Sequence, residues 1–243
     1  EVVVYGTTEM SIEELGIYDL AVGARLDASA VADGNVSDEE MSQLEAASLQ
    51  RAALPLWLVG HSMARRKKRV SISILTIEKA LYWIEDHMDF KARVVFLDYM
   101  NLMQSERKPG QMSDRRMDCT DLVRAAKDMA LAMGCPVVML AQAKRECDDR
   151  DWQLPQMADG METAAIEQFS DKIISLWMPK VSEAVGGTIE TPDGDQLVVS
   201  ENMLLMGLVK QKNGPAGGYF VLGVDFEQNE IRMMELEQEE PWA

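Results

Sequence analysis

Val94-Val95-Phe96-Leu97-Asp98 is a run of apolar residues closed by a carboxylate. A run this short, without alternation of polar side chains, reads as a strand buried on both faces. Asp98 then stands at its C-terminal end, where open α/β sheets bind their ligands. Similar runs lie on either side: Val2 to Tyr5, Leu56 to Val59, Pro136 to Ala141, Ile173 to Trp177 and Met203 to Lys210. Between them apolar residues fall at helical spacing, first Ile77, Leu81, Ile84 and Met88, then Leu122, Ala126, Met129 and Met133 before a stop at Gly134. Strands alternating with helices predict an α/β fold, with a mostly parallel sheet covered on both faces. Val185-Gly186-Gly187 and Pro192-Asp193-Gly194-Asp195 read as turns with a hairpin between them. Tyr219 to Val224 and Ile231 to Met234 predict antiparallel strands at the C-terminal edge.

Two helix starts are marked by more than periodicity. Ser11-Ile12-Glu13-Glu14 is a capping box, with Met10 and Leu15 at the staple positions. Ile12, Leu15 and Val22 can share one face of that helix, and Gly23 closes it. Ser37-Asp38-Glu39-Glu40 repeats the pattern between Val36 and Met41, after a Gly34-Asn35 turn. Gln104 to Ser113, around Lys108-Pro109-Gly110, predicts a loop, and Glu146 to Asp159 a mobile one.

Composition narrows the function classes. In 243 residues, 24 basic side chains face 41 acidic ones, a net charge of −17. That balance excludes adhesion to nucleic acid through the whole surface, but not through a local basic site. The one dense basic run, Arg65 to Arg69, has no interleaved aromatics and reads as a solvated face, with phosphate contact as the alternative. Acid dominates the end of the chain, which predicts a core over 1–234 and an acidic tail over 235–243. Hydrophobic residues at 47% and charged residues at 27% exclude global disorder. Cys119, Cys135 and Cys147 form no cluster with His61 or His87, which speaks against structural zinc. The odd cysteine count and the lack of a secretory start predict a cytoplasmic protein. No apolar run approaches the roughly eighteen residues of a membrane helix. The 18 methionines read as adaptable core filler.

Three polar residues stand at or just beyond predicted strand ends: Glu9, Asp98 and Gln142. Asp98 has the form of a Walker B carboxylate, which holds magnesium through water. Glu9 could polarise an attacking water, and Gln142 could sense a terminal phosphate. Singly, each also reads as an ordinary polar strand end, and Glu9 as an acid favoured near a helix N-terminus. Their convergence is the more informative signal.

Further segments fall in an order that resembles one family. They are Tyr5-Gly6-Thr7-Thr8-Glu9-Met10, the run Phe96 to Met103, Val138 to Gln142, Asp159 to Gln168 with Asp171, and Lys210-Gln211-Lys212-Asn213-Gly214-Pro215. Together they resemble the C-terminal ATPase domain of replicative hexameric DNA helicases of the DnaB type, a RecA-like fold of the P-loop NTPase superfamily. The resemblance runs from the first strand to about Arg232. The last segment is the most distinctive, being similar to the family's Lys-Gln-Arg-Asn-Gly-Pro.

The resemblance implies an ATP- and magnesium-dependent DNA helicase that translocates on single-stranded DNA in replication. It implies Glu9 as catalytic base, Asp98 as magnesium-positioning carboxylate and Gln142 as γ-phosphate sensor. Lys210 and Lys212 would reach into a neighbouring subunit's site within a homo-oligomeric ring, six in this family. DNA contacts would come from Met161, Glu162, Thr163 and Ala164; Arg107 and Lys108 are candidates for a second central-channel loop, with a solvated surface loop as the alternative. A primase or a loader would be the partner protein. The sequence departs from the family at three points. Lys212 stands at the arginine-finger position, Met161 stands where the family has Arg, and no Gly-x-x-x-x-Gly-Lys-Ser/Thr is present. The last departure is read as truncation before Glu1, which would leave the isolated chain inactive. The alternative is a non-catalytic RecA-like assembly or DNA-binding module, and a recombinase-like filament protein is a third reading.

Overall fold

The computed structural model describes residues 1–63, 72–105, 115–160, 164–226 and 230–234. The chain divides into two compact units, one of residues 1–142 and 161–170, the other of 143–160 and 171–243.

The first unit is built on a four-stranded parallel sheet. Its strands are β1 (Val2–Ser11), β2 (Leu56–His61), β3 (Ala92–Asp98) and β4 (Val137–Met139), in the order β2-β1-β3-β4. Alternate residues Val2, Val4, Val95 and Leu97 point to one face and are buried there. Against them pack α4 (Ile74–Met88), through Ile77, Leu81 and Ile84, and α5 (Arg115–Met133), through Leu122, Ala126 and Met129. Both helical stripes therefore fall as their spacing predicts, except at their last members: Met88 is exposed and Met133 only partly buried. Gly6 lies in this face because a Cβ there would meet Ile77 Cδ1 at 2.7 Å. Among the described residues the opposite face is covered less deeply: Val3, Tyr5 and Phe96 are half-buried there, and Val138 is exposed.

Three helices follow β1: α1 (Ile12–Ala24), α2 (Ala28–Ala32) and α3 (Asp38–Ala52). Both predicted capping boxes form, Ser11 with Glu14 and Ser37 with Glu40. The close of α1 differs, since it runs past Gly23 to a left-handed cap at Arg25, and Val22 is exposed rather than on a buried face. Asp27 caps the short α2, which periodicity did not reveal.

Strand lengths also differ from expectation. β1 is ten residues long, because beyond Tyr5 it continues to pair with β3 at Thr7 and with β2 at Ser11. β4 is shorter than Pro136 to Ala141, and Gln142 lies three residues beyond its end. The basic run Arg65 to Arg69 lies outside the described residues, as do the acidic tail and most of the Gln104 to Ser113 loop. The last helix of the unit, α6 (Ala164–Phe169), packs on α5, and Phe169 lies beneath the Arg124 guanidinium.

The second unit has its own core. β5 (Lys172–Trp177), β8 (Met203–Gln211), β9 (Tyr219–Asp225) and β10 (Glu230–Met233) form an antiparallel sheet in the order β10-β9-β8-β5. The antiparallel strands thus make a separate sheet. β6 (Thr188–Glu190) and β7 (Gln196–Val198) form a hairpin across the Pro192 to Asp195 turn. Leu205, Met203, Val199 and Trp177 centre the core. The 146–159 segment is irregular but not loose: Cys147 and Leu154 are buried, and Trp152 meets Trp177 and Tyr219 edge to face. Its apolar side chains anchor it, correcting the expectation of a mobile loop.

Candidate functional site

The C-terminal edge of the parallel sheet gathers the polar residues. In the β1–β3 pairing, Tyr5 lies opposite Phe96 and Thr7 opposite Asp98. Asp98 is the last residue of β3, and Glu9 lies two residues beyond Thr7 on the neighbouring strand. Both strands run the same way, so the two carboxylates emerge at the same end of adjacent strands. Glu9 is exposed, and its side chain has no hydrogen bond among the described residues.

Asp98 is held at two points. The Tyr5 hydroxyl donates to Asp98 Oδ2 at 2.7 Å. The Tyr5 ring stacks on Phe96, with centroids 6.1 Å apart. Burial first, then the bond and charge of Asp98, raise the Tyr5 phenol above its ordinary pKa. At the backbone, Thr8 Oγ1 accepts the Tyr99 N–H at 3.0 Å and lies 3.0 Å from the Asp98 carbonyl oxygen, to which it donates. The Asp98–Tyr99 peptide is cis.

Gln142 reaches the same edge through the backbone beyond β4. Leu140 N–H donates to the Leu97 carbonyl at 3.0 Å, and Met100 N–H to the Leu140 carbonyl at 2.9 Å. Gln142 N–H then meets Asn101 Oδ1 at 3.5 Å, a long contact. Glu9, Asp98 and Gln142 therefore belong to one edge of one sheet. The sequence reading missed Tyr5, Thr8 and Asn101. Their roles come from cross-strand pairing, and the only local hint was a tyrosine in a strand of β-branched residues.

The other expected site residues divide between the units and the undescribed segments. Ala164 is exposed at the start of α6. Arg107, Lys108, Met161, Glu162 and Thr163 lie outside the described residues. Lys210 and Lys212 belong to the second unit. Lys210 sits in β8 opposite Ile173. Lys212 follows that strand, its N–H bonded to the Asp171 carbonyl at 2.8 Å and its Nζ 3.5 Å from Asp171 Oδ1.

The residues suit a nucleotide-bound magnesium ion better than a caged one. Among the described residues no group of three His, Cys, Asp or Glu could hold a metal. Magnesium commonly takes one or two carboxylates and completes its shell with water and phosphate. Asp98 fits: its Oδ2 is engaged by Tyr5, and its Oδ1 accepts no hydrogen bond among the described residues.

The model of the family described as DnaB-like helicase C terminal domain matches residues 1–233. The chain belongs to that family. A probable replicative DNA helicase of Trieres chinensis is 24% identical over 215 residues, covering 88% of this chain and 43% of the relative. The replicative DNA helicase DnaB of Mycobacterium intracellulare is 24% identical over 207 residues, covering 85% of this chain and 32% of the relative. The chain thus spans less than half the length of these curated relatives. Among solved structures, a DnaB-like replicative helicase described with its primase interactions superposes with a TM-score of 0.77 at 19% identity, over 97% of this chain and 52% of that one. A second solved structure, described as an ATPase domain, gives 0.76 at 20% identity, over 97% of this chain and 75% of that one. These likenesses establish a RecA-like DnaB-type fold. No described helix of this family member is long and apolar enough to cross a membrane.

Proposed function

We propose that this DnaB-like domain is the ATP-driven core of a replicative helicase, cytoplasmic and assembled as a ring, six in the family, that translocates on single-stranded DNA and unwinds duplex. One observation carries the reading: Glu9 and Asp98 emerge from adjacent parallel strands at the same sheet edge, in register through Thr7 and Asp98. Family membership and the resemblance of the Lys210 to Pro215 segment support it.

In this reading Asp98 would help to hold the magnesium ion of a magnesium–ATP complex, which would supply positive charge against the phosphates. Glu9 polarises the attacking water. Its solvent exposure suits a base that meets its water only when nucleotide is present. Gln142, tethered near Asn101 beside β3, senses the γ-phosphate and passes its state to the segment before α6. Lys210 and Lys212 supply positive charge to the site of a neighbouring subunit. Lys provides a point charge without the planar fork of Arg. DNA is held by its phosphates through 161–164 and through Arg107 and Lys108, without base readout. The net charge of −17 then confines binding to the basic groups of the channel. A primase or loader is the expected partner.

The test is Glu9→Gln in the intact protein. DNA-stimulated ATP hydrolysis should fall by about 100-fold or more, with nucleotide binding retained. Undiminished turnover would overturn the assignment.

A further inference from the structure

We propose that Tyr5 and Thr8 are positioning residues that brace Asp98 for metal–nucleotide binding, an inference that rests on the reading of Asp98 given above. A carboxylate at a strand end has two free side-chain torsions and a backbone that has just left its pairing. Here both freedoms are restrained from one neighbouring strand. The Tyr5 hydroxyl fixes Oδ2 at 2.7 Å, and Thr8 Oγ1 accepts the Tyr99 N–H at 3.0 Å, holding the peptide that follows Asp98.

The brace is itself rigid. Stacking on Phe96 orients the Tyr5 ring, and four successive pairings, Val4 with Val95 through Thr7 with Asp98, fix the strand that carries it. With Oδ2 committed to Tyr5, Oδ1 is the oxygen open to a metal-bound water. The same strand carries Glu9, so the brace also fixes the base-bearing strand relative to the carboxylate. Partners that orient a ligating group in this way are typically worth about 10- to 100-fold in metal affinity.

Tyr5→Phe removes the hydroxyl and keeps the stacked ring. Binding of Mn2+ together with a non-hydrolysable ATP analogue, followed by electron paramagnetic resonance on the intact protein, should weaken about tenfold. The half-saturating Mg2+ concentration for hydrolysis should rise in parallel, measured at a temperature where the variant is fully folded. Thr8→Val should weaken Mn2+ binding, and Thr8→Ser should restore it. Asp98→Asn supplies the reference. If Asp98→Asn abolishes Mn2+ binding while Tyr5→Phe and Thr8→Val leave it intact, the brace is wrong and the metal reading stands. If Asp98→Asn changes nothing, the metal reading fails and takes the brace with it. Should Tyr5→Phe not fold, the Thr8 pair decides: equal binding by the Val and Ser variants overturns the proposal.

Discussion

The Tyr5 hydroxyl, on the opening strand, is bonded to the Asp98 carboxylate 93 positions later in the chain. The bond has a consequence in alkali. Burial first, and then Asp98, favour the neutral phenol, so folded Tyr5 keeps its proton to higher pH than unfolded Tyr5 does. Its contribution to stability is complete below the ordinary phenol range and is lost as pH rises from there towards the folded value. Absorbance titration near 295 nm should show one of the five tyrosines ionising late. Tyr5→Phe should delete that late step, and Asp98→Asn should bring it earlier. A wild-type protein without a late step would argue that Tyr5 is neither buried nor bonded to Asp98 in solution.

The two capping boxes act at the acid end. Backbone and then side-chain bonds from Ser11 hold the Glu14 carboxyl below its ordinary pKa, and Ser37 does the same for Glu40. Each group is ionised more readily when folded. Its contribution is therefore present above the ordinary carboxylate range and lost as pH falls through the folded value. Glu14→Gln should make denaturant stability less steep between about pH 5 and pH 3. An unchanged slope would argue that the box is not formed in solution. At neutral pH, Ser11→Ala should cost about 1 kcal/mol through the lost cap.

Gly60 is a steric test of the sheet edge. A Cβ there would lie 2.5 Å from Thr7 Cγ2, 3.1 Å from Ile12 Cγ2 and 3.2 Å from the Thr7 carbonyl oxygen. The β-branched Thr7 side chain has little room to swing, and Thr7 is the residue paired with Asp98. Gly60→Ala should destabilise by about 1–3 kcal/mol in urea unfolding. It should also lower hydrolysis beyond what the stability loss accounts for. Wild-type stability would mean that β1 and β2 separate more easily than the packing implies.

Lys212 separates structural from functional charge. Its ion pair with Asp171 is 3.5 Å long, with side chains 66% and 52% exposed. Such pairs contribute under about 1 kcal/mol. Lys212→Ala should therefore leave the melting temperature nearly unchanged while removing DNA-stimulated hydrolysis, and Lys212→Arg should preserve it. Full activity in the Ala variant would remove Lys212 from the catalytic reading.

Much of the architecture was legible because its causes are local. Apolar runs at β3 and β5, helical spacing in α4 and α5, and the Ser-x-x-Glu boxes each depend on residues a few positions apart. The position of Asp98 at a strand end was readable in the same way. What sequence could not supply is pairing. Whether β1 stops at Tyr5 or runs on to Ser11 depends on partners in β2 and β3, not on its own side chains. The anchoring of the 146–159 segment likewise depends on a distant aromatic cluster around Trp177.

The amino-acid sequence by itself thus determined the alternation of elements, the helix caps and the polar residues at the sheet edge, because neighbouring side chains and backbone torsions set these. Only the tertiary structure decided that Thr7 faces Asp98, that Tyr5 and Thr8 grip it, and that the antiparallel strands form a sheet of their own. Strand register joins residues remote in the chain, and the hydrogen bonds that select it exist only once both strands are in place.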